Sequence, residues 1–135
     1  MRISERRQFH LDPRSSIVYN VDMADVLGAF EQAVLLGILR PTTPLGKEAY
    51  GRAILKEVEA RLGRAVTAGA VYATLDRLEE KGLISSRLEP GDASRAGRPR
   101  RFYSVTAEGI RALNDAKASV DRLWSGVKTP LKVTM

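Results

Sequence analysis

At Gly82 the chain changes hydrophobic period, and that change limits the folds open to it. Before it, starting from Thr67, Val71, Leu75 and Leu78 recur at the spacing of a helix that buries one face. Thr67 is a residue type that caps helix N-termini, and Gly82 one that stops helices. Directly after it, "LISSRLE" reads as a strand, and "RRFYSV" as a second strand after about ten loop residues. A helix that feeds a long hairpin gives a small antiparallel sheet, and helices must supply the rest of the core.

The flanking segments provide those helices. A first is expected from about Asp25 to Leu39, where Leu27, Phe30, Val34 and Ile38 recur at helical spacing and Leu35 and Leu39 widen the apolar face. So wide a face is covered on more than one side, and Pro41 and Pro44 end the helix. A second is expected from Tyr50 to Leu62, with Ile54, Val58 and Leu62 on one face and Gly63 as its stop. A fourth begins at Thr106 with Glu108 in its first turn, where a negative charge suits the helix dipole. Gly109 stands where a capping box has Glu or Gln, so no full box forms.

Along that last helix, Ile110, Leu113, Lys117, Val120, Trp124 and Val127 are spaced 3, 4, 3, 4, 3, a heptad pattern. Such a stripe packs either on its own domain or on a partner subunit. Because it runs past the reach of so small a domain, pairing with a partner is the expectation. Residues 1–24 combine Arg2, Arg6, Arg7 and Arg14 with turn formers and show no sustained period. They read as a tail: a poorly ordered terminus, or a basic arm that touches DNA or a partner subunit. The expected division is this tail, a domain over 25–105, a C-terminal helix over 106–128 and a short tail over 129–135.

Several function classes drop out. The single histidine, His10, lies in the tail, and the chain has no HExxH, GxSxG or phosphate-binding Gly-Lys-Ser/Thr loop. Asp76, Glu79 and Glu80 sit beside Arg77 and Lys81 as ordinary helix-surface pairs. Catalysis is not expected, nor a cofactor, nor a metal. The longest apolar run, "AVLLGIL", is far too short to span a membrane. No apolar stretch follows the N-terminal charges, so no secretory signal is read there. The lack of cysteine fits the reducing cytoplasm.

The order of elements is a helix-turn-helix with a wing, in which the second helix of the pair enters the major groove and the hairpin grips the adjacent backbone or minor groove. The net charge of +6 favours a phosphate-bearing partner, although a basic balance can also serve solubility alone. Placement of the charges decides between the two. Between Ala93 and Arg101 the hairpin loop carries Arg95, Arg98, Arg100 and Arg101 and no acid. A solvated tip needs charge, but not charge of one sign. Arg100 and Arg101, nearest the strand, are better positioned by their backbone than Arg95 at the tip.

On the third helix, Gly69, Ala73, Asp76 and Arg77 face outward. Gly69 and Ala73 let the backbone approach a groove closely. Apart from Arg77 this face lacks base-reading side chains, so phosphates and DNA shape are expected to carry much of the binding. Tyr72, on the flank, can donate to a phosphate and be half-buried against the second helix at once.

Three stretches resemble the PadR family of bacterial transcriptional regulators: "LGAFEQAVLLGILR", "EAYGRAILKEVEARLGRAVTAGAVYATLDRLEEKGLISSR" and "GRPRRFYSVTAEG". The resemblance covers about Leu27 to Leu123. The family often has proline after the tyrosine of the third helix, where this chain has Ala73. The tail of more than twenty residues is not explained by the family pattern, and one short C-terminal helix is expected where longer members carry an extended C-terminal domain. The resemblance implies a mainly α fold with a small β-hairpin, a winged helix-turn-helix with a C-terminal dimerisation helix. It implies a homodimer on double-stranded DNA, usually a repressor.

Carried over by position, the DNA-facing set is Thr67, Gly69, Tyr72, Ala73, Arg77, Arg95, Arg98, Arg100 and Arg101. The C-terminal helix of such a dimer packs on the first helix of the other subunit. The interface set is then Leu27, Phe30, Val34, Ile110, Leu113, Val120, Leu123, Trp124 and Val127. Some members bind flat aromatic molecules near that interface, so a small aromatic effector beside Trp124 belongs to the implied picture, next to plain packing of that ring. The competing reading from another class is a winged-helix protein-interaction module that binds no DNA.

Overall fold

The computed structural model of the chain describes residues 27–40, 49–91 and 99–134. The expected tail over 1–24, the stops at Pro41 and Pro44, and the loop residues Arg95 and Arg98 lie outside them. Helix α1 covers Ala29–Leu39, starting four residues later than the hydrophobic spacing predicts. Its boundary is set locally: the Glu31 carboxylate accepts from the Gly28 N–H at 3.2 Å and fixes the first turn. Val34, Leu35 and Ile38 are fully buried, which makes α1 the centre of the core and accounts for its wide apolar face.

A two-residue strand β1, Ala49–Tyr50, leads into α2, Gly51–Leu62, which buries Ile54 and Val58. Helix α3, Ala68–Glu80, is capped as the sequence predicts: Thr67 Oγ1 accepts from the Ala70 N–H at 3.0 Å. Val71, Leu75 and Leu78 are its buried stripe. At its end Leu83 N–H donates to Leu78 O and Gly82 N–H to Glu79 O, both at 3.0 Å. These are the two bonds of a Schellman stop, with Gly82 at φ 79° where a side chain would be strained.

Strands β2 (Ile84–Glu89) and β3 (Arg100–Val105) pair antiparallel from Ile84 opposite Val105 to Glu89 opposite Arg100. The expected two-stranded hairpin is in fact part of a three-stranded sheet in the order β1-β3-β2 among the described residues, because Ala49 and Tyr50 pair with Tyr103 and Phe102. A strand of two residues has no period to read.

Helix α4 covers Ala107–Leu123. Thr106 serves both ends of the junction: its hydroxyl accepts from the Gly109 N–H at 3.1 Å and donates to Gly82 O at 2.8 Å. The side chain that caps α4 therefore also holds the end of α3. Ala112, Leu113 and Ala116 pack against the core. The helix ends before residue 128. Trp124 is its cap, and a turn follows in which Val127 N–H donates to Trp124 O, with Gly126 at φ 79°. Val127 keeps its heptad spacing in sequence but is not on the helix.

Candidate nucleic-acid interface

The exposed side of α3 presents Thr67, Gly69, Tyr72, Ala73, Asp76 and Arg77 to solvent, and Arg100 and Arg101 of β3 line a cleft together with Tyr72. Each strand arginine is held by a different partner. The Arg100 guanidinium lies 4.1 Å from the centre of the Tyr50 ring, a cation–π stack that ties the wing to the start of α2. Tyr50 in turn meets Phe102 edge-on at 6.0 Å. Arg101 donates to Ser86 Oγ at 3.0 Å, and Ser86 donates to Glu79 Oε2 at 2.9 Å. Glu79 belongs to α3, so this chain of bonds joins a wing cation to the helix it flanks.

Arg77 differs from expectation. Its guanidinium reaches back toward α1, with Nε 3.8 Å from Glu31 Oε2 and Nη2 donating to Thr74 Oγ1 at 3.3 Å. Lys81 pairs with the same carboxylate at 3.1 Å. A half-exposed Arg77 with an acidic neighbour braces α3 against α1 as well as facing outward. The sequence offered no signal for this, since Glu31 lies two helices away in the chain.

Between these elements opens a cleft of about 570 Å³. Tyr50, Gly51 and Arg52 line it from the start of α2, Tyr72 from α3, and Pro99, Arg100, Arg101 and Tyr103 from the wing. Tyr72 is 46% exposed and its ring leans on Gly51, where a Cβ would collide with the hydroxyl. The half-burial expected for Tyr72 is thus present, and it is why position 51 is glycine. Tyr103 is only 5% exposed, and burial pushes its hydroxyl above the ordinary tyrosine value while Arg101 pulls it down. It stays protonated, a hydrogen-bond donor, at neutral pH. Among the described residues, three arginines and three tyrosines line this cleft, and Asp76 and Glu79 of α3 act on the Tyr103 hydroxyl from beside it. Sequence reasoning missed Tyr50, Arg52 and Tyr103 as lining residues of this cleft.

On the far side, the interface set divides. Leu27 and Val34 are buried within the protomer's own core, and Phe30 and Leu113 are partly buried against it. Leu27 and Val34 are therefore corrected to core residues, because their side chains have no free surface left to offer. Ile110, Val120, Leu123, Trp124 and Val127 remain exposed, together with Leu131 and Val133. A run of apolar side chains this long exceeds ordinary surface scatter.

A helix-turn-helix followed by a wing, with cations gathered on the helix side of the wing, defines a winged-helix DNA-binding transcriptional regulator. Comparison with known proteins gives the family. Residues 43–115 match the model of the transcriptional regulator PadR-like family, and the chain belongs to that family and is not an enzyme. It is 36% identical over 76 residues to the transcriptional regulator Rv3488 of Mycobacterium tuberculosis, a match that takes in 56% of this chain and 66% of that protein. Among solved structures, a PadR family regulator from Eggerthella lenta superposes with a TM-score of 0.58 at 29% identity, over 82% of this chain and 88% of that one. Bacillus subtilis PadR in complex with operator DNA shares the fold, with a TM-score of 0.52 at 23% identity, over 79% of this chain and 52% of that one.

Proposed function

We propose that the protein is a cytoplasmic repressor that binds a pseudo-palindromic operator as a homodimer. In each protomer α3 enters the major groove, and the wing, with Arg100 and Arg101 on β3 and Arg95 and Arg98 in the loop, lies on the flanking backbone or minor groove. The two recognition helices then meet half-sites about 34 Å apart. The observation that carries this reading is the bonding of Arg101 through Ser86 to Glu79, together with the stack of Arg100 on Tyr50. One wing cation is tied to α3 and the other to the start of α2, so neither is left loose on the surface. Thr67, Gly69, Tyr72, Ala73 and Arg77 complete the DNA-facing set on α3. With small side chains and an acid on that face, binding leans on phosphates and groove shape.

The dimer is formed by α4 through Ile110, Val120, Leu123 and Trp124, with Phe30 of α1, Leu113 and Val127 at its margin; the exposed apolar surface of Ile110, Val120, Leu123, Trp124 and Val127 supports this. A small aromatic effector would stack on Trp124 at that seam.

The test is DNA binding as a function of salt, on duplexes selected from a random pool by the parent protein. Affinity should fall steeply as salt rises, and the variant with Arg98, Arg100 and Arg101 all changed to alanine should lose affinity and up to about three units of salt slope. A triple variant that binds as the parent does would remove the wing from the mechanism. A parent that selects no duplex would leave the winged-helix protein-interaction module as the better reading.

A further inference from the structure

Asp76 is the anomaly on the outward side of α3. In a chain of net charge +6 it sets an exposed carboxylate on the face that meets DNA in the reading above. On a helix surface, residues three and four positions away are neighbours. For Asp76 these are Tyr72 and Ala73 before it and Glu79 and Glu80 after it, so its own helix offers it no cation there. The cations nearby serve other groups. Arg77 and Lys81 both pair with Glu31 of α1, and Arg101 of the wing donates to Ser86, whose hydroxyl donates to Glu79. Asp76 has no hydrogen bond or ion pair among the described residues.

A carboxylate on such a face repels the phosphate backbone whatever the base sequence. The repulsion is offset only where the DNA presents a donor, and in the major groove the donors are base amino groups. Gly69 and Ala73 precede Asp76 by seven and three residues, on the same side of the helix. A Cβ at Gly69 would meet nothing within 4 Å, so the fold itself does not require glycine there. Glycine weakens a helix relative to alanine, and what it adds here is room outside the molecule. Among the bases, cytosine turns a lone amino donor, N4, into the major groove. Adenine sets the N7 acceptor beside its amino group, and guanine and thymine present acceptors, which a carboxylate repels.

We propose that Asp76 is a specificity-determining residue that accepts a hydrogen bond from the N4 amino group of one cytosine in each half-site. The inference rests on the DNA-binding reading above and adds to it a base that α3 selects. The unpaired charge then has a use. It disfavours every sequence that lacks a donor at that position, so it lowers affinity in general and sharpens the choice of site.

The test is selection of duplexes from a random pool by the full chain and by Asp76→Ala and Asp76→Asn, at one salt concentration. The duplexes that the parent selects should fix a cytosine at one position of each half-site. Changing that C·G pair to T·A should weaken the parent roughly tenfold, as for loss of one charge-assisted hydrogen bond. Asp76→Ala should bind the two duplexes alike, and should bind an unrelated duplex more tightly than the parent does. Asp76→Asn should move the selected base from cytosine to adenine, whose donor and acceptor an amide matches. Both variants should melt no lower than the parent, since Asp76 has no bonding partner in the fold.

Parent-selected duplexes without a fixed cytosine would overturn the proposal. So would an Asp76→Ala protein that gains affinity for every duplex and keeps the parent's base preference, which would make the carboxylate a general brake on binding. A lower melting temperature with an unchanged base preference would assign Asp76 to the fold, and that also overturns it. A parent that selects no duplex defeats the DNA reading and the role of Asp76 with it, and is told apart by the parent's failure alone.

Discussion

Single side chains in this protein hold elements together in pairs, and this makes their substitution informative. Thr106 caps α4 and donates to the carbonyl that ends α3. Thr106→Ala should lower stability by about 1–2 kcal/mol, read from urea midpoints, and Thr106→Ser should restore most of it. Equal midpoints for all three proteins would mean that the cap contributes nothing. Gly51→Ala sets a methyl group against the Tyr72 ring. The ring must swing away or the backbone must shift, at a cost of about 1–3 kcal/mol. DNA affinity should fall with it. Retained affinity and melting temperature would show that Tyr72 has room to spare.

Ser86 carries Arg101's bond to Glu79. Ser86→Ala should reduce DNA affinity by roughly two- to fivefold, and should have no further effect once Arg101 is alanine. Additive losses in that cycle would mean that Ser86 acts elsewhere. At this scale the sequence made the caps legible, because capping needs one residue type at one local position. It did not reveal Arg77 with Glu31 or Arg101 with Ser86, because those partners meet only after the chain has folded back on itself.

At the scale of elements, α4 has two faces with different fates. Gly109, Ala112, Leu113 and Ala116 turn toward the core, while Val120, Leu123 and Trp124 stay exposed at 50%, 75% and 45%. Val120→Asp should therefore leave the protomer folded and yield monomers in sedimentation. Leu113→Asp would damage the core as well as any seam, so it reports less cleanly. A Val120→Asp protein that remains a dimer would place the seam elsewhere. The heptad spacing identified the exposed stripe but overran it, because the left-handed turn at Gly126 ends the helix regardless of the period beyond it. The hairpin was legible from its two apolar runs. Its third strand was not, since β1 becomes a strand only by pairing with β3.

Across the whole molecule, α1 lies at the centre, and α2, α3 and the sheet are arranged against it. Leu75→Ala, at a fully buried position of α3, should cost about 2–5 kcal/mol and shift the whole unfolding transition rather than loosen α3 alone. Two separate transitions in calorimetry would contradict a single shared core.

The sequence by itself determined that four helices and a hairpin form, where α2 and α3 stop, which threonines cap, and that the cations gather on the wing. All of these depend on local period, on residue type at one position, or on charge, which a linear chain displays. The tertiary structure alone decided that Leu27 and Val34 are core and that Arg77 braces α1. It also decided that Tyr50, Arg52 and Tyr103 meet in one cleft with the wing arginines. Burial and proximity are properties of how elements pack, and residues far apart in the chain acquire a shared chemistry only when a sheet and three helices close around them.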